Sequence, residues 1–92
     1  MPSAFRVESV GSDVKIVASY NPSRKLLMVI NESEYIVYIS KDPQNVANVG
    51  IALYPYESVV FDVADGDEPE YAFYAQCPGG TARIRIYENL VM

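Results

Sequence analysis

Apolar side chains recur along this chain with a period of two. Val14, Ile16, Ala18 and Tyr20 alternate with Asp13, Lys15 and Ser19, and Ala82, Ile84 and Ile86 alternate with Arg83, Arg85 and Tyr87. Alternation sends successive side chains to opposite faces of a strand, whereas a helix repeats about every 3.6 residues. The residues in these runs are mostly β-branched or aromatic, the types that pack well on a pleated surface. Turn formers break the runs at Gly11-Ser12-Asp13, Asn21-Pro22-Ser23, Asn31-Glu32-Ser33, Asp42-Pro43-Gln44, Pro55-Tyr56, Asp65-Gly66-Asp67 and Pro78-Gly79-Gly80. The intervening segments predict strands near 4–10, 13–20, 24–31, 35–41, 49–54, 57–63, 70–76 and 81–88. Residues 42–49 are polar around Pro43 and read as a loop. Turns about every ten residues predict an all-β fold. The expected form is a small antiparallel β-sandwich, jelly-roll or Ig-like, of about seven to eight strands, made by residues 1–92 as one domain.

Two of these segments are apolar on both faces. In 24–31, Leu26, Met28 and Ile30 point one way and Leu27 and Val29 the other; in 35–40, Tyr35, Val37 and Ile39 oppose Ile36 and Tyr38. A two-layer sandwich buries one face of each strand and leaves the other to water. Loops or chain ends can cover the second face, or another subunit can. Eight tyrosines favour the latter, because the ring buries area while the hydroxyl tolerates a wet rim.

Charge and composition narrow the function. Seven basic residues against twelve acidic ones give a net charge of −5, which disfavours binding to a phosphate backbone, so nucleic acid is not an expected partner. The chain has no histidine and one cysteine, which removes the usual neutral-pH general base, the commonest metal ligand and any disulfide framework. The longest apolar run, Leu26-Leu27-Met28-Val29-Ile30, is far short of a membrane span, and residues 1–6 lack a signal-peptide core. These features point to a chain made in a cytoplasm, with no membrane partner, no cofactor and no enzymatic activity.

Few residue groups suggest chemistry. Asp62, Asp65, Asp67, Glu68 and Glu70 form an acidic stretch, but their spacing differs from a calcium loop, and a solvated hairpin tip accounts for them. Ser58 has no histidine to activate it. Pro78-Gly79-Gly80-Thr81 lacks the lysine and the following helix of a phosphate-binding loop and reads as a turn. Cys77 has no adjacent base and reads as an inert thiol. Arg83 and Arg85 lie on one face of the last strand, suited to cross-strand pairing with acidic neighbours or to polar contact at a subunit interface.

The ordered set of turns and strands resembles the small β-sandwich virion proteins of tailed bacteriophages, which serve as capsid decoration or cement proteins, head fibres or tail attachments. The shared pattern runs from Asn21-Pro22-x-Arg24 through Ile30-Asn31, Val37-Tyr38-Ile39 and Gly50-x-x-Leu53-x-Pro55-x-Glu57-Ser58 to Gly80-Thr81-Ala82-Arg83-Ile84-Arg85. One position departs from it: Tyr56 stands where the pattern usually has glycine, which puts a large aromatic at a loop tip beside Tyr54. The resemblance implies a structural role in a virion, with the major capsid protein or other virion subunits as partners and a homo-oligomer, such as a trimer at three-fold positions, as the form. The expected contact residues are Tyr54, Tyr56, Tyr74, Tyr87, Arg83 and Arg85, together with a tail of Leu90, Val91 and Met92 continuing past the last strand. A second expectation is a tail, neck or fibre module that recognises a host-surface glycan through its exposed tyrosines.

Overall fold

The computed structural model describes residues 3–90. Eight strands follow in order: β1 (Ser3–Val10), β2 (Lys15–Ala18), β3 (Arg24–Asn31), β4 (Val37–Ser40), β5 (Ile51–Leu53), β6 (Ser58–Asp62), β7 (Phe73–Gln76) and β8 (Ala82–Leu90). They form two antiparallel four-stranded sheets, ordered β1-β8-β3-β6 and β2-β7-β4-β5. The pairings nest: β4 with β5, β3 with β6, β2 with β7 and β1 with β8. That nesting is a long hairpin rolled onto itself, so of the two expected sandwich forms the chain adopts the jelly roll.

Each sheet turns one apolar face inward. Val10, Leu27, Val29, Ala82, Ile84 and Ile86 from the first sheet meet Val17, Ala18, Val37, Ile39, Leu53, Phe73 and Ala75 from the second. Phe61 and Phe73 join the layers with ring centroids 4.6 Å apart. Cys77 is buried in the same core, which fits its reading as an inert thiol.

The structure corrects four sequence readings. The segment 42–49 contains a helical turn, α1 (Val46–Val49), whose Val46 side chain plugs the core. Gly50 lets that turn lie against β4, since a Cβ there would sit 2.5 Å from the Val46 carbonyl oxygen and 2.7 Å from that of Ile39 in β4. Alternation also fails in β2: a bulge between Ile16 and Ala18 turns both Val17 and Ala18 inward and leaves Val14 and Ile16 exposed. The acidic stretch is no hairpin tip but a crossover from β6 in one sheet to β7 in the other, opening with a 3-10 turn at Val63–Asp65. Lastly, β8 runs on to Leu90, which pairs with Arg24. Leu90 is therefore a strand residue, not part of a free tail, and Val91 and Met92 lie outside the described residues.

Candidate docking surface

The register of the first sheet assembles an apolar row on its outer face. Phe5 stands opposite Tyr87, Tyr87 opposite Met28, and Met28 opposite Val60, so one residue from each of the four strands contributes. Val7 and Ile30 flank this row on one side and Leu26 on the other. The inner-face neighbours Leu27, Val29, Ile84 and Ile86 are fully buried, so these residues must point outward. Phe5 is 65% exposed, Val7 45% and Val60 44%. The Phe5 and Tyr87 rings touch, with centroids 4.6 Å apart. Among the described residues no loop shields Phe5, Val7 or Val60 from solvent. The second apolar face of β3 is thus part of a sheet-wide surface. On the other sheet, Tyr38 and Tyr74 face outward and are half-buried.

Beyond Val7 and Ile30, one flank of the apolar row is charged. Arg85 and Arg83 both reach Glu32, at 3.0 Å and 3.3 Å. The hydrogen bond from Arg85 holds the Glu32 carboxyl below its ordinary pKa, with the charges of Arg85 and Arg83 acting in the same direction against partial desolvation. The backbone fixes the geometry, since the Glu32 amide donates to the Arg83 carbonyl at 2.9 Å.

The turn from β5 to β6 abuts this flank. Its ends are tied by the Glu57 amide on the Tyr54 carbonyl at 3.0 Å and the Tyr54 amide on the Glu57 carboxylate at 2.9 Å. Tyr56 has φ = 63°, the left-handed conformation, with Pro55 before it. Proline followed by a positive φ is the pattern of a type II turn, in which glycine is the usual third residue. Tyr56 holds the glycine conformation while its ring stays 70% exposed. Buried Asn31 organises the region: its side-chain amide donates to the Tyr35, Leu53 and Tyr54 carbonyls, and its side-chain oxygen accepts from Ser33.

The structure therefore brings Tyr87, Arg83 and Arg85 onto one face, with Tyr54 and Tyr56 at its edge. Tyr74 sits on the opposite sheet. Sequence reasoning missed Phe5, Val7 and Val60, because single exposed apolar residues carry no signal until register places them side by side. For Leu26, Met28 and Ile30 the signal was the strand apolar on both faces.

A polar cluster occupies the opposite seam of the sandwich, between β1 and β2. Glu88 accepts from Arg6 at 2.9 Å and from Arg24 at 3.1 Å, and Glu8 bonds Lys15 at 2.9 Å and Arg6 at 3.5 Å. Arg6, Glu8, Arg24 and Glu88 line a cleft of about 320 Å³ beside Val17 and Ser19. Arg6 also donates to the Val17 carbonyl, tying the sheets together. Arg24 donates to the carbonyls of Pro69, Tyr71 and Ser19, with its Nε atom unpartnered. Burial pulls its guanidinium pKa below the ordinary value, and Glu88 opposes that shift. Two guanidinium groups sharing one carboxylate, with backbone carbonyls taking other donors, make a clasp between the sheets. The sequence signalled Arg24 only as the start of a strand.

Three of the five carboxylates of the acidic crossover are held by local bonds. Asp62 accepts from the Ala64 amide, Asp67 from the Asp62 amide, and Glu68 pairs with Lys41 at 2.7 Å. Among the described residues no group of three or more acidic or thiol side chains converges as a metal site would require.

No protein-family model matches the sequence, and no curated protein matches it. Solved structures do share the fold. A transcriptional regulator of the HTH_3 family from Vibrio cholerae superposes with a TM-score of 0.69 at 9% identity, over 98% of this chain and 44% of the other. This chain thus spans less than half the length of that regulator. The cupin domain of an XRE family transcriptional regulator from Enterobacter cloacae gives 0.63 at 10% identity, over 96% and 83% of the two chains. Bacillus endospore appendages, described as a family of disulfide-linked pili, give 0.52 at 13% identity, over 98% and 87%. Identities this low speak to the jelly-roll fold alone.

Proposed function

We propose that the chain is a structural subunit of a tailed-phage virion, docking on the capsid as a cement or decoration protein. The sheet-wide apolar row Phe5–Tyr87–Met28–Val60 carries this reading. A face of this kind stabilises whatever it is packed against, at roughly 25 cal/mol for each Å² of apolar area removed from water. Contacts repeated over a shell add up. Exposed apolar patches this contiguous on a small domain typically mark interaction sites. The virion setting comes from the resemblance of the turn and strand pattern. The jelly roll itself serves both regulators and a pilus among its structural neighbours, so the fold alone favours neither role.

The test is retention on purified phage capsids. The wild-type chain is expected to co-sediment with them and to raise their thermal stability, and Met28→Lys, an outward-facing change, is expected to lose both effects. Equal retention of the variant, or no retention of either, removes the support for this reading.

A second reading is a tail, neck or fibre module that binds a host-surface glycan. The observation favouring it is the pair Tyr54 and Tyr56, both exposed on one turn and free to stack on a sugar. Specific binding of the isolated chain on a glycan array, with calcium or with chelator, selects it over docking.

A further inference from the structure

We infer that β6 is a pairing edge, through which two copies of this chain join their first sheets into one. The inference rests on reading the chain as a subunit of an assembly, and it names one partner: a second copy.

The four edges of the sandwich are not alike. Exposed edges invite strand pairing, and proteins block them with inward charges, lysine, proline, bulges or short length. The β1 edge is blocked by inward Arg6 and Glu8, and Lys15 donates to its Ser9 carbonyl at 3.1 Å. The β2 edge is bulged, and Arg6 occupies its Val17 carbonyl. The β5 strand has three residues. None of these devices protects β6, whose sequence Ser-Val-Val-Phe-Asp has no proline, lysine, inward charge or bulge. Behind this strand the sandwich seam opens into an apolar cavity of about 160 Å³ lined by Ile39, Val49, Ile51, Phe61 and Phe73.

The free backbone groups can be assigned. The Asn31 amide bonds the Glu57 carbonyl at 2.8 Å, so that carbonyl and the backbone groups of residues 59 and 61 point toward β3. Residues 58, 60 and 62 therefore direct theirs to the open side. At Asp62 they are already used: its amide donates to the Asp67 carboxylate and its carbonyl accepts from the Asp67 amide. Ser58 and Val60 are left, each with one donor and one acceptor.

This set is self-complementary about a two-fold axis at Val59. In an antiparallel pair with that axis, Ser58 of each copy faces Val60 of the other, and all four free donors and acceptors are bonded. Glu57 then faces Phe61, and the ladder ends there because Asp67 occupies the open side of Asp62, so no like charges are opposed. The two apolar rows meet edge to edge on one face of an eight-stranded sheet. Isologous pairing of this kind closes as a dimer, in place of the three-fold arrangement expected from the resemblance.

Sedimentation of the full chain from micromolar to near-millimolar concentration tests the inference, with amide exchange as a second readout. The wild type is expected to reach twice the single-chain mass, with the Ser58 and Val60 amides slowed about tenfold or more. Val60→Lys points outward, leaves the core intact, and is expected to stay at single-chain mass with fast amides at both positions. Val7→Lys, on the same face but the far strand, is expected to remain dimeric. Single-chain mass throughout, or a dimer that survives Val60→Lys with fast amides, overturns the inference. A monomer that still binds capsids overturns the pairing and spares the docking reading; a dimer that ignores capsids supports the pairing and overturns docking.

Discussion

The Arg24 guanidinium and the Glu88 carboxylate meet 3.1 Å apart between the two sheets, with side chains only 3% and 9% exposed. Arg24 leaves from the first residue of β3, and Glu88 lies late in β8, so the pair fastens the two central strands of the first sheet. The terminal nitrogens of Arg24 also hold the carbonyls of Ser19, Pro69 and Tyr71, which flank strands of the second sheet.

Removing one partner of this pair strands a buried charge. Glu88→Leu is expected to cost about 3–5 kcal/mol, because both Arg24 and Arg6 lose their shared acceptor. Adding Arg24→Met to that variant should restore part of the loss, so that the two effects are not additive. Urea denaturation of the two singles and the double measures this. A cost below about 1 kcal/mol for Glu88→Leu shows that the cluster does not hold the sheets.

Glu32 makes acid stability depend on its arginines. Its folded-state pKa is held below the unfolded value, chiefly by the Arg85 hydrogen bond. The stabilisation is therefore present above the unfolded pKa and is lost as pH falls through the depressed folded pKa. Melting temperature against pH should separate wild type from Glu32→Gln near neutrality, and the two curves should converge in acid. Arg85→Gln should shift the wild-type curve toward that of Glu32→Gln. Parallel curves at every pH would count against the linkage.

Tyr56 holds a conformation that favours glycine while offering its ring to solvent. Relieving a left-handed non-glycine residue is worth about 1 kcal/mol, or roughly 4–8 °C in melting temperature for a domain this small. Tyr56→Gly is thus expected to melt higher and dock more weakly. Tyr56→Ala should dock more weakly without the thermal gain. If Tyr56→Gly docks as well as wild type, the ring is not a contact.

Ile84 is fully buried in the centre of the core, on the strand that pairs with both β1 and β3. Ile84→Asp places a charge there with no partner, at a cost above about 4 kcal/mol. Loss of cooperative thermal unfolding is the expected result, in contrast to the outward substitutions at Met28 and Val60. A folded Ile84→Asp domain would be inconsistent with this core.

The two-residue period and the spacing of the turns were enough to define about seven to eight strands and a sandwich. Ala82, Ile84 and Ile86 alternate inward as their pattern predicts, because β8 pairs on both sides without a bulge near them. In β2 the same reasoning placed Ile16 inward and failed. A bulge costs one residue of register, and nothing local in the chain announces it. Helix α1 was missed for a similar reason: four residues are too short for a helical period to show, and it is the burial of Val46 that holds them.

What the sequence determined by itself is local: which segments extend, where they turn, and that β3 carries more apolar side chains than one buried face needs. Strand order, register and handling of the edges were decided by tertiary structure, because they join residues far apart in the chain. Phe5, Met28, Val60 and Tyr87 become one surface only when β8 lies between β1 and β3 and β6 closes the sheet. The charged clasp was illegible for the same reason. Arg6, Arg24 and Glu88 are ordinary surface residues in a linear chain, and only the rolled hairpin puts their charges within hydrogen-bond range at the mouth of the core.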